Sequence, residues 1–211
     1  MKPWIPLIQP EPMHLVIASG NAGKVREFGA LLADLQLETR AQPEGLAVEE
    51  TGSTFAANAR LKAEAVARAT GCWALADDSG LSVDALGGAP GVHSARYADS
   101  DAARIERLLR ELEAAGASTA AARGARFTAA LALAAPNGGV VLEVEGHCPG
   151  TILAAPRGEG GFGYDPVFFV PELGLSFAEM DKAQKAAIGH RGRAFATLQP
   201  QLQALLAQER Q

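Results

Sequence analysis

The sequence predicts an α/β protein built on a mixed β-sheet with flanking helices, and three observations carry that prediction. Residues 14–19 (HLVIAS) are a short apolar run with β-branched Val16 and Ile17, the pattern of a buried strand. A glycine-bounded break and a helically spaced apolar repeat follow it. Further on, apolar stretches 126–134 and 139–146 flank Pro136-Asn137-Gly138, and Asn-Gly between two such runs marks a hairpin. A strand–loop–helix opening beside an antiparallel pair calls for a mixed sheet rather than an all-parallel one.

The elements follow in order. Residues 1–13 contain Pro3, Pro6, Pro10 and Pro12, which forbid regular helix; they read as a flexible tail ahead of a single domain over 14–211. After the first strand, Val25, Phe28, Leu31, Leu32 and Leu35 repeat at helical spacing over 24–35. Residues 37–41 read as a second strand. Thr51-Gly52-Ser53 caps an alanine-rich helix over 54–69, closed by Gly71. Residues 72–76 (CWALA) form a strand that Asp77-Asp78-Ser79-Gly80 stops. Residues 86–91 are irregular loop, Ser100 caps a helix over 101–115, and the small, polar 114–125 is a mobile connector. Beyond the hairpin, 151–155 adds a strand, 158–163 is a glycine-dense turn, and 166–170 is another strand. Helices over 177–187 and 191–208 close the chain, which has no internal repeat.

Composition excludes several classes. With 48% hydrophobic and 20% charged residues among 211, disorder is not the main state. A formal charge of −5 argues against nucleic-acid polymers and anionic membranes as partners. No apolar run reaches the ~20 residues of a membrane span, and no signal peptide opens the chain. Two cysteines, Cys72 and Cys148, make neither a disulfide framework nor a zinc site, so a reducing cytoplasm is the expected setting. The 19 basic residues divide into 14 Arg and 5 Lys, so each lysine is informative.

Six stretches offer chemistry. Ser19-Gly20-Asn21-Ala22-Gly23-Lys24 sits at a strand-to-helix turn, where backbone N–H groups, the helix dipole and Lys24 favour an anion. It is not a P-loop, since Ala18 and Val25 break that pattern. Glu49-Glu50 is either a solvated pair or, with phosphate oxygens, a Mg²⁺ site. Asn58 and Lys62 share a helix face, continued by Ala65 and Ala69. Asp77-Asp78 follows an apolar strand; alternation sends the two to opposite faces, one toward a site and the other toward the loop or a supporting shell. Residues 158–163 match G-x-G-x-x-G formally, but a strand rather than a helix follows. That leaves Gly163, Tyr164 and Asp165 beside Phe162, an aromatic platform able to stack a base. Lys182, Lys185, His190 and Arg191 form a donor-rich cluster suited to carbonyl and phosphate oxygens.

Together these stretches resemble the inosine triphosphate pyrophosphatase family. The matching segments are SGNAGKVREF (19–28), EETGSTFAANARLKAEAVA (49–67), ADDSGLSVDALGGAPGVHSARY (76–97), GGFGYDPVFFVP (160–171) and KAAIGHRG (185–192), in the family's order. The resemblance implies an elongated α/β fold, two lobes around a cleft, and a homodimer. It implies Mg²⁺-dependent hydrolysis of ITP, dITP and XTP to the monophosphate and pyrophosphate, which clears deaminated purines from the nucleotide pool.

By motif, Ser19 to Lys24 hold the phosphates with Lys62 assisting. Asp78 is general base and metal ligand, and Ser79 contacts substrate. The Glu49-Glu50 pair supplies another ligand, Glu50 being the better match. Phe162 to Asp165, Lys185, His190 and Arg191 line the base pocket. Two positions depart from the family pattern: Ser19 stands for Thr, and Gly189 stands for the Ser before His-Arg. Rival readings are a non-catalytic nucleotide sensor, which would not need both carboxylate sets, and a pyrophosphatase for pyrimidine or methylated nucleotides, which the donor cluster disfavours.

Overall fold

The computed structural model describes residues 13–35 and 37–209. The proline-rich tail lies outside them except for Met13, which belongs to the fold: its carbonyl accepts from Glu38 N–H at 3.2 Å and its side chain packs on the core. Among the described residues, seven strands form one mixed sheet in the order β2-β1-β3-β4-β5-β6-β7. Strands β1 (His14–Ala18), β2 (Glu38–Ala41) and β3 (Trp73–Val83) are parallel. From β3 onward, β4 (Gly124–Ala134), β5 (Val140–Ile152), β6 (Phe168–Val170) and β7 (Leu175–Ser176) pair antiparallel.

Side-chain alternation divides the sheet into two unlike faces. Val16, Ala18, Ala74, Ala76, Ala130, Ala132 and Ala134 point to one face and meet Ala59, Ala63, Val66 and Ala67 of helix α2 (Phe55–Thr70). Small residues on both sides let helix and sheet approach closely. The alanines that matter are therefore 59, 63 and 67; Ala69 is exposed. Leu15, Ile17, Leu75, Leu131 and Leu133 point the other way. They are covered by Phe28 and Leu32 of α1 (Ala22–Leu32) and by Phe195, Leu198, Leu202 and Leu206 of α5 (His190–Glu209). A third cluster lies around Phe127, Phe168 and Phe177 and includes Ile105, Leu108 and Leu112 of α3 (Asp101–Ala114).

Several sequence expectations need correction. Asp77-Asp78-Ser79-Gly80 does not stop a strand: β3 runs through it to Val83, because β4 supplies a partner for every residue from Ala74 to Val83. Thr54, not the preceding triplet, caps α2, its hydroxyl accepting from Ala57 N–H at 3.1 Å. No separate strand covers 151–155; β5 extends to Ile152. The stretch 177–187 is not one helix. Phe177 and Ala178 are buried after β7, and α4 (Lys182–Ile188) begins only at a capping box between Asp181 and Gln184. The connector is anchored, since Arg123 donates to the carbonyls of Ala117, Ile152 and Leu153 at 2.7–3.0 Å.

Candidate active site

The continuity of β3 decides the geometry of the site. Asp78 falls on the α2 face with Ala74 and Ala76, and Asp77 on the α1/α5 face with Leu75. On the first face, Lys62 reaches down from α2. Its Nζ donates to Asp78 Oδ1 at 2.8 Å, Glu50 Oε1 at 3.0 Å and the Asp77 carbonyl at 2.9 Å. Arg96 adds a contact to Glu50 Oε2 at 3.1 Å. Asn58, fully buried one turn before Lys62, fixes the Glu50 segment by accepting from Gly52 N–H at 2.8 Å. Glu49 is exposed.

Protonation follows from this placement. Burial works to raise Glu50, but the Lys62 ammonium outweighs it and the carboxyl ends below the usual range. Burial also raises Asp78, and here Lys62 does not fully compensate, because Glu50 shares the same ammonium and repels a second negative charge. Burial disfavours the Lys62 charge, yet Asp78 and Glu50 together hold it firmly protonated. Asp78 Oδ2 is buried without a hydrogen-bond partner.

On the second face, Asp77 is a hub. Its Oδ2 accepts from Lys24 Nζ at 2.7 Å and from Arg191 Nε at 3.3 Å, and its Oδ1 accepts from the Ser79 hydroxyl. Burial alone would raise this carboxyl; the Lys24 and Arg191 cations hold it far below the carboxylate range. Arg191 donates further to Glu27 and Ser79, each at 3.3 Å. At the turn before α1, Asn21 Oδ1 accepts from Gly23 and Lys24 N–H at 2.8 and 3.3 Å, so Asn21 itself satisfies two of the helix-start donors read as anion-binding.

Arg191 and His190 are placed by the start of α5, which lies directly on β5. A Cβ at Gly146 would sit 2.2 Å from Ala194 N and 2.3 Å from His190 O, so only glycine permits this approach. Gly189, with φ of −66°, needs no special backbone freedom; a Cβ there would meet the Lys185 carbonyl at 2.4 Å. The His190 ring stacks on Phe127 with centroids 4.7 Å apart and planes at 13°. It is buried, with Nδ1 unpartnered. Burial, seconded by Arg191, pushes its pKa well below that of an ordinary imidazole.

Lys24, Ser79, His190 and Arg191 border a cleft that also takes in Asn21, Gly23, Lys185, Phe162 to Asp165, and residues that sequence reasoning left out, Asp101, Arg104 and Phe127 among them; Glu50, Lys62, Asp77 and Asp78 do not line it. Ser19, Gly20 and Ala22 line an adjoining groove. Phe162 is 46% exposed, with Lys185 Nζ 5.2 Å and the Arg191 guanidinium carbon 5.7 Å from its ring centroid. Asp165 pairs with Lys185 and accepts from Phe162 N–H at 2.9 Å. Lys182 is exposed and lies outside the cleft. Asp77 takes the supporting place that strand alternation leaves to one of the two aspartates, but its partners Lys24 and Arg191 have no signal in the sequence. Asp101 and Arg104 left no pattern beyond an ordinary helix start.

Among the described residues, no group of three or more His, Cys, Asp and Glu side chains gathers to hold a metal. Glu50 and Asp78 are the carboxylates that fit a hard divalent cation. They converge on one ammonium, and Asp78 keeps a buried oxygen without a partner. Two carboxylates completed by phosphate oxygens suit Mg²⁺. No helix among the described residues is long and apolar enough to cross a membrane. Cys72 and Cys148 are free thiols, and burial raises Cys148 to about 11.

The sequence profile of the Ham1 family matches residues 15–201. A dITP/XTP pyrophosphatase of Parasynechococcus marenigrum is 64% identical over 195 residues, spanning 92% of this chain and 97% of that protein. One from Nostoc sp. is 54% identical over 193 residues, covering 92% and 96% respectively. Among solved structures, a HAM1 protein from Coxiella burnetii superposes with a TM-score of 0.82 at 44% identity, over 93% of this chain and 99% of the other.

Proposed function

The chain belongs to the Ham1 family, and from that premise we propose that it hydrolyses deaminated purine nucleoside triphosphates (dITP, XTP and ITP) to the monophosphate and pyrophosphate. The observation that carries the assignment to this site is the double use of β3. Asp78, Lys62 and Glu50 form a phosphate-handling set on one face, while Asp77 ties Lys24 on the other face to Arg191 of the base pocket.

In this reading the Asp78 carboxylate, held beside Lys62, orients the attacking water and takes its proton. Water adds at the α-phosphorus, the bond to the bridging oxygen of the β-phosphate breaks, and pyrophosphate departs. Lys24 and Lys62 neutralise its charge, so positioning and electrostatics do most of the work. Glu50 and Asp78 would hold Mg²⁺, which neutralises phosphate charge when bound. Ser79 contacts the substrate through its hydroxyl.

Selectivity follows from donor chemistry. Lys185 and Arg191 offer only N–H groups, which match the 6-oxo acceptor of hypoxanthine and xanthine. Adenine presents an amino donor there and leaves them unpaired, at about 1–3 kcal/mol per buried group. His190, neutral and stacked on Phe127, completes the wall. A homodimer, a single two-lobed domain and a cytoplasmic setting belong to the same reading.

The test is a panel of nucleoside triphosphates with Mg²⁺, scoring pyrophosphate against orthophosphate. Pyrophosphate from ITP and XTP with little turnover of ATP is the expected result. Equal rates on ITP and ATP would overturn the selectivity, and orthophosphate as first product would overturn the reaction type.

A further inference from the structure

The loop that carries Phe162 is tied down at three successive residues. Phe162 N–H donates to Asp165 Oδ2 at 2.9 Å, and the Tyr164 hydroxyl donates to the Ser94 carbonyl at 2.9 Å. Between them, Gly163 N–H donates to Asp101 Oδ2 at 2.7 Å, joining the loop to the first residue of α3. The other Asp101 oxygen accepts from Arg104 Nη1 at 2.6 Å, and Arg104 Nε donates to the Ala98 carbonyl at 3.0 Å. The acceptor is thus one oxygen of a carboxylate whose other oxygen pairs with a guanidinium, and its rotamer is fixed by a side chain that is itself anchored.

Asp101 is not the cap of α3. Ser100 fills that place, its hydroxyl accepting from Ala103 N–H at 3.2 Å. The loop has need of a restraint: Gly161 and Gly163 flank Phe162 with φ of +77° and +63°, and glycines fix the backbone weakly. Of the three ties, the bond that Asp101 receives is the one that joins this glycine-flanked segment to α3.

We propose that Asp101, held by Arg104, is a positioning residue for base recognition. It latches the Phe162 loop to α3 and keeps the ring at one spacing from the Lys185 and Arg191 donors, a spacing that accepts a 6-oxopurine. The inference rests on the function proposed above. Without the latch the loop spends part of its time open, and apparent affinity falls by the fraction lost. Turnover, set by Asp78 at the phosphate end, does not follow it.

The experiment uses the full chain, with steady-state kinetics on ITP and ATP and amide hydrogen exchange on the same samples. Asp101→Ala raises KM for ITP about fivefold, as expected for one lost hydrogen bond, with kcat within about twofold. It also narrows the preference for ITP over ATP and speeds exchange across 160–165. Asp101→Asn, which keeps an acceptor oxygen, recovers at least half of the KM loss. Ser100→Ala weakens the same helix start without touching the loop and keeps the parent KM. An unchanged KM in Asp101→Ala, unaltered exchange, no recovery with Asn, or an equal KM rise in Ser100→Ala overturns the latch. Should the parent chain release no pyrophosphate from ITP, the proposed function fails, and the exchange measurement still decides the latch.

Discussion

Asp77 and Asp78 are neighbours on β3 yet project to opposite faces of the sheet, and each meets a lysine from a different helix: Lys24 of α1 at 2.7 Å and Lys62 of α2 at 2.8 Å. The two carboxylates resist protonation to opposite degrees. Asp77, 3% exposed and held by two cations, stays ionised far below the usual range, while Asp78 is pushed upward by burial.

Asp77→Asn therefore acts mainly on stability. It leaves Lys24 and Arg191 without a buried counter-charge, and breaking such a pair from one side costs about 3 kcal/mol. For a chain of this size the melting temperature falls by roughly 6–12 °C. Because Arg191 is left with only Glu27 and Ser79 as partners, KM for ITP rises too. A melting temperature within about 2 °C of the parent would show that Asp77 is not the hub its contacts describe.

Asp78→Asn behaves in the opposite way. The fold already disfavours the ionised Asp78, so removing the charge changes stability by no more than about 1 kcal/mol. Removing a proton acceptor lowers kcat on the order of 10³-fold. Thermal unfolding and single-turnover kinetics on one preparation separate the two effects. A stable variant retaining a tenth or more of the parent's turnover would remove Asp78 from the chemical step.

The contrast between these neighbours was half visible in the sequence. Alternation along a strand assigns Asp77 and Asp78 to different faces, but a run of Asp-Asp-Ser-Gly reads as the end of a strand because its polar groups have no visible partners. The partners, Lys24, Lys62 and Arg191, come from three separate helices. The hairpin was plain because Asn137-Gly138 is a local signal, and the start of α4 was present as the Asp181–Gln184 capping box, overshadowed by the apolar Phe177-Ala178 before it. Placement of the Phe162 loop by Asp101 depends on a contact 62 residues apart with no periodic signature.

Lysine scarcity also acquires a structural sense. Three acceptors, on Glu50, Asp77 and Asp78, converge on the single Nζ of Lys62, whose side chain is 13% exposed. A planar guanidinium cannot place one nitrogen at that point, and the alanine contact between α2 and the sheet leaves little room for its bulk. Lys62→Arg is expected to lose about 1–3 kcal/mol of stability from overpacking and at least about tenfold in kcat/KM, a loss equivalent to roughly 1.4 kcal/mol of transition-state stabilisation. Wild-type kinetics in Lys62→Arg would show that charge alone is required there.

His190 predicts a pH dependence of folding with a definite sign. Enclosure and the neighbouring Arg191 disfavour the imidazolium in the folded state, so its pKa lies well below the value near 6.5 of the unfolded chain. Above about pH 6.5 the group is neutral in both states and its contribution to stability is complete. As pH falls below that value the unfolded chain takes up a proton that the folded chain refuses, and stability declines by up to about 1.4 kcal/mol per pH unit. The decline continues until the folded pKa is reached. Asp77 is also depressed, but its contribution falls away only below about pH 5, where the unfolded carboxyl begins to protonate, so its loss lies under the window between pH 5 and 8. Denaturant unfolding at half-unit steps between pH 5 and 8 measures the slope. His190→Phe keeps a ring to stack on Phe127 and removes the titrating group, and its curve should be flatter over that window; a parallel curve would place the pH sensitivity elsewhere.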